Sequence, residues 1–97
     1  MGKKRPYVIV RTHSAGCHAG VMEWRKGQEV VLKNARRLWY WQGAASLSQL
    51  AQVGTSKPDG CKFPIPVDRV TLTQATEILY CTAAARASIE SVPVWSA

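Results

Sequence analysis

The segment NARRLWYWQGAASLSQLA, Asn34 to Ala51, places Arg36, Arg37, Trp39, Tyr40, Trp41 and Gly43 within ten residues. Guanidinium groups grip phosphate or carboxylate oxygens in pairs, and indole or phenol rings stack on planar ligands. Gly43, Ala44, Ala45 and Ser46 follow. A helix opening there would offer unpaired backbone N–H groups to an anion, with the small residues permitting close approach. Arg36, Arg37, Trp39, Trp41, Gly43 and Ser46 therefore form a candidate ligand-binding set for a nucleotide-like or other anionic small molecule. The same residue types are those that subunit and partner interfaces favour, so an interface reading stands beside the ligand reading.

A second group lies in RTHSAGCHAG, where His13, Cys17 and His18 occur together. Their spacing does not match paired zinc ligands, and no metal is expected. Cys17 and His18 are neighbours, so on a strand they would face opposite ways, which separates a nucleophile from its base. His18 is expected to hydrogen-bond within a glycine-lined loop, toward the ligand. The six acidic residues, Glu23, Glu29, Asp59, Asp68, Glu77 and Glu90, make no paired-carboxylate motif. Phosphate-loop, nucleophile-elbow and dinucleotide fingerprints are absent as well. The expectation is a non-enzymatic protein with no cofactor.

These groups need a scaffold. Tyr7 to Thr12 is rich in β-branched residues and predicts a first strand. Ala19 to Arg25 predicts a second, and RKGQ a tight turn at Gly27 before a third strand starting at Glu29. That third strand is expected to run through Arg36 to Trp41, bent near Asn34 and Ala35. Period two puts Arg37, Trp39 and Trp41 on one face and Arg36, Leu38 and Tyr40 on the other. Ala45 to Val53 has helical spacing, with Gly54 as its stop. TSKPDGCKFPIP is an irregular loop, Val67 to Leu72 and ATEILYC are strands, and Thr82 caps a helix from Ala83 to Ser91 that ends before Pro93. The fold class is α+β: a small antiparallel sheet of four to five strands with two short helices against one face. Residues 1–6 form a basic N-terminal arm and 7–97 a single domain. Sheet edges need covering, which favours a homo-oligomer.

Composition narrows the class. The chain has 97 residues, 46% hydrophobic and 20% charged, which fits one globular domain and not a disordered one. No apolar run reaches the roughly 20 residues of a membrane span, and the N-terminus does not read as a secretory signal. Net charge is +7, of which Lys3, Lys4 and Arg5 supply three. Such a balance favours an anionic partner. The three cysteines, Cys17, Cys61 and Cys81, are expected to be reduced, with a Cys61–Cys81 bridge as the lesser alternative.

From Arg11 to Thr82 the chain also resembles a family of small proteins encoded by tailed bacteriophages and prophages. Their segments run RTxSAGxHxG, EVxLxxARRIWxWxGAxSL and LTxAIEIxPCT. His18, Arg36, Arg37, Trp39, Trp41, Gly43 and Ser46 fall at matching positions, whereas Cys17, Thr76 and Tyr80 depart from the pattern. The resemblance implies the cytoplasm of an infected bacterium as the setting and binding as the mode of action. On that footing the expected function is sequestration of a phosphate-bearing ligand, such as a nucleotide second messenger of anti-phage immunity. Two alternatives remain open: inhibition of a host protein through the Trp/Tyr/Arg stretch, and single-stranded nucleic-acid binding.

Overall fold

A computed structural model describes residues 5–96. Lys3 and Lys4 of the expected basic arm lie outside the described residues. Arg5 and Pro6 are tied to the second strand: Arg5 donates to the Glu23 carbonyl, and Met22 N–H donates to the Pro6 carbonyl at 2.8 Å.

Five strands form one antiparallel sheet: β1 (Tyr7–Thr12), β2 (Cys17–Lys26), β3 (Glu29–Arg37), β4 (Val67–Leu72) and β5 (Ala75–Tyr80). Two helices complete the α+β fold, α1 (Leu47–Val53) and α2 (Ala83–Ser91). The spatial order is β4-β3-β2-β1-β5, so the two outermost strands are consecutive in sequence. In a flat sheet they would stand about 19 Å apart, four interstrand spacings of roughly 4.8 Å. Only Thr73 and Gln74 join them, a link that spans at most about 11 Å. The sheet must therefore curl until its edges approach. Backbone bonds fix the link: Ala75 N–H donates to the Gln28 carbonyl at 2.9 Å, and His13 N–H to that of Gln74 at 3.0 Å.

Curling gives the sheet two cores. On the face covered by the helices, Tyr7, Ile9, Ala19 and Leu38 pack with Leu50, Ala51, Phe63, Ile89 and Val92. Inside the curl, Val8, Val10, Val30, Leu32, Ala35, Leu72 and Ala75 pack with no helix over them. Burial on both sides is why Tyr7 to Val10 reads as an unbroken apolar run rather than an alternation. Gly20 permits the tight curvature between β2 and β3, since a Cβ there would lie 2.9 Å from the Lys33 carbonyl oxygen and 3.1 Å from the Ala35 Cα.

β3 is interrupted near Asn34, whose φ of 50° lies in the left-handed region. Pairing with β2 changes register there, from Val21↔Lys33 to Ala19↔Arg36, while the register with β4 runs through unchanged. The inward set changes parity there, from Val30 and Leu32 to Ala35. The expected bend is thus a feature that re-aims every later side chain. The strand itself stops at Arg37, short of the expected Trp41; beyond it only Tyr40 pairs, in a bridge to Lys62. α1 likewise begins at Leu47, two residues later than expected, because Ser46 is its N-cap and not part of its first turn. The Pro-rich loop contains a 3-10 turn, Pro58–Gly60, and delivers Phe63, with no exposed surface, into the helix-covered core. Among the described residues no helix is long and apolar enough to cross a membrane.

Candidate functional site

The two arginines of β3 leave the strand on opposite sides, as their adjacent positions require. Arg36 enters the helix-covered side and is 5% exposed. Its Nη1 donates to the Ile89 carbonyl at 3.1 Å, Nη2 to that of Phe63 at 3.2 Å and Nε to that of Pro64 at 3.3 Å. Its guanidinium also lies 5.6 Å from the Phe63 ring centre. Ile89 belongs to the last turn of α2, which carries no basic residue of its own. Arg36 supplies the cation that a helix C-terminus favours. Burial pulls its pKa down. A guanidinium committed to three carbonyls is a structural rivet, and the expected phosphate contact by Arg36 gives way to that role.

The helix-entry residues are also engaged. Ser46 Oγ accepts from Gln49 N–H at 3.1 Å, and Gln49 Oε1 accepts from Ala45 N–H at 3.0 Å, a reciprocal capping arrangement. Gly43 has φ 81°, and a Cβ there would lie 2.5 Å from both the Lys57 nitrogen and the Thr55 hydroxyl. Its carbonyl accepts from Ser56 N–H at 3.2 Å. Gly43 thus lets two loops cross closely. Trp41, half-buried, packs against the helix-covered core. Gly43, Ser46 and Trp41 therefore do not assemble with Arg36 and Arg37 around one anion site.

His18 and Arg37 do come together. His18 pairs with Val10 of β1 and with Arg37 of β3, and directly opposed residues share a sheet face. This face is the inside of the curl. The two residues line a cavity of about 290 Å³, walled by Ala35, Pro64, Ile65, Val67 and Val70. That volume sits at the lower edge of small-molecule sites.

His18 is 3% exposed, yet neither of its ring nitrogens has a hydrogen-bond partner among the described residues. Leaving such a group unsatisfied costs about 1–3 kcal/mol. Burial first, and the Arg37 charge second, lower the His18 pKa to about 4. The imidazole is neutral at physiological pH, with one N–H to donate and one lone pair to accept. Arg37 is exposed and makes one hydrogen bond among the described residues, from Nη1 to the Ala15 carbonyl at 2.9 Å. Its remaining N–H groups can address an anion. Cys17 occupies the opposite, helix-covered side, so the Cys17–His18 pair is split as the alternation predicts.

A separate cluster forms where the chain leaves β3. Leu38 turns into the core while Trp39 stays 58% exposed. Trp39 stacks on Trp95, with ring centres 5.0 Å apart and planes 6° from parallel. Lys62 Nζ lies 5.6 Å from each indole and 5.7 Å from the Tyr40 ring. Backbone bonds hold the three segments: Lys62 N–H donates to the Tyr40 carbonyl at 2.7 Å, and Trp95 N–H to that of Phe63 at 3.0 Å. Neither Lys62 nor Trp95 stood out in the sequence, because no local spacing links position 39 to position 95.

The cysteines are free thiols: Cys61 is buried, and Cys17 and Cys81 are half-buried. Burial pushes the Cys81 thiol up to about 11.

A curled five-stranded sheet, two helices on one face and a histidine-floored cavity on the other define a small α+β domain with a polar-footed pocket. Residues 5–89 match the model of the family described as Domain of unknown function (DUF6948), and the chain belongs to that family. No curated protein and no solved structure matches it.

Proposed function

We propose that this domain is a non-catalytic binding protein for a small phosphate-bearing molecule, seated in the cavity between His18 and Arg37. The observation that carries the reading is the buried His18 imidazole, a residue of the cavity lining whose two nitrogens are unpartnered among the described residues. A ligand that bonds both would remove a cost the free protein bears. Arg37 supplies a planar, permanently charged fork at the same cavity, the geometry that phosphate oxygens match. Pro64, Ile65 and Val67 supply an apolar wall against which a nucleobase can lie. No carboxylate is among the lining residues, so the cavity carries no acid–base pair and favours an anion. The size favours a single nucleotide unit over a larger ligand. In the phage setting that the sequence resemblance implies, such a protein would withdraw a nucleotide signal from the host cytoplasm. A homo-oligomer would bring several such cavities together.

The test is titration calorimetry with nucleoside monophosphates, cyclic mononucleotides, cyclic dinucleotides and cyclic ADP-ribose. The expected result is saturable heat with at least one of them, and at least a tenfold weaker affinity in Arg37→Ala. Absence of heat across the panel, or undiminished affinity in Arg37→Ala, defeats the proposal.

A further inference from the structure

The cluster of Trp39, Trp95, Tyr40 and Lys62 stands on different residues from the pocket. Trp39 is 58%, Tyr40 43% and Trp95 41% exposed, and Val94, next to Trp95 in the chain, is more than half exposed. Contiguous exposed apolar surface of this kind marks an interaction site. The indoles are already parallel, and backbone bonds on either side fix their segments, so the platform is rigid before any partner arrives.

Two features indicate what that partner is. First, a lysine sits at the centre of the aromatic group, within 5.7 Å of all three rings. Protein–protein interface cores are depleted in lysine, whose ammonium is strongly hydrated, whereas grooves for single strands combine cations with exposed rings. Second, the chain carries a net charge of +7, complementary to a polyanion. We infer that the Trp39–Trp95 stack with Lys62 binds single-stranded nucleic acid. The outer face of the stack takes a base, and Lys62 meets the adjoining phosphate. Stacking of this kind is tolerant of sequence, because every base has a π face.

Fluorescence anisotropy of labelled 12-mers of deoxythymidine and uridine, with the full-length chain at 50 mM salt, tests this. Binding is expected to quench tryptophan emission and to weaken steeply as salt rises. Trp39→Ala should weaken affinity at least tenfold, and Lys62→Gln should reduce the salt dependence by nearly one ion. His18→Leu, which alters only the pocket, should bind the oligonucleotides as the wild type does, whatever the outcome with small ligands. Cooperative urea unfolding of each variant establishes that it is folded. If Trp39→Ala does not fold, Lys62→Gln decides the question. No binding of either 12-mer, or wild-type affinity and salt dependence in both variants, overturns the inference. So does a purified protein that occupies this surface while oligonucleotides do not.

Discussion

Lowering the pH should destabilise this protein through one residue, His18. The folded state holds the imidazole neutral, with a pKa near 4, and the unfolded chain restores it to about 6.5. Between those values the unfolded state binds the extra proton, so stability rises with pH across the window and falls as acid is added. The full loss is about 3 kcal/mol by pH 4, of which about 2 kcal/mol has gone by pH 5. Urea unfolding followed by tryptophan emission, at pH 7.5, 6.0 and 5.0, would measure it. Subtracting the profile of His18→Leu isolates the part of the curve that belongs to this residue. The leucine variant should also be no less stable than the wild type at pH 7.5, because it removes two polar atoms that have no partner among the described residues. Two results would refute the reasoning. One is a nuclear magnetic resonance titration placing folded His18 near 6.5; the other is a leucine variant with an unchanged pH profile.

The arginines should separate cleanly. Arg36→Met keeps the apolar stem but strands three carbonyls, and should cost about 2–4 kcal/mol in urea unfolding, whereas Arg37→Met should cost less than about 1 kcal/mol. Equal stabilities would mean that the Arg36 bonds contribute nothing. Gly43→Ala must place a Cβ 2.5 Å from two polar atoms at a positive φ, and should lose at least about 2 kcal/mol in the same measurement. Ser46→Ala, which only deletes a cap, should lose about 1 kcal/mol.

The elements of the fold were largely legible. β1, β4 and α2 fall at the expected residues, and Thr82 caps α2 by accepting from Ala85 N–H at 3.0 Å. These signals are local: β-branched runs, a threonine before an alanine-rich stretch, a proline after it. The alternation of Arg36 and Leu38 against Arg37 and Trp39 was legible too, but it fails beyond Trp39. The strand ends at Arg37, so Tyr40 stays exposed beside Trp39 while Trp41 packs on the helix-covered core with Leu38. What the residues after Trp41 do was not legible. GAAS can open an anion site or close a loop crossing with the same letters. The difference lies in Thr55, Ser56 and Lys57, which come into contact only after folding.

The candidate site follows the same division. His18 and Arg37 were named from the sequence, but in different groups, and their meeting depends on the register of β2 against β3. Sequence by itself determined which residues could do chemistry, because side-chain type sets hydrogen bonding, charge and stacking before any fold exists. It also determined β1, β4 and α2, whose signals come from neighbours along the chain, but not where β2 begins or where β3 ends. Tertiary structure alone decided that Arg36 would spend its donors on carbonyls from three distant residues, leaving Arg37 available beside a buried imidazole. It also decided that Trp39 would find Trp95, 56 positions away. The physical reason is the curl forced by the two-residue link between the outermost strands. It gave the sheet a second interior, and it left His18 inside that interior with two nitrogens that have no partner among the described residues.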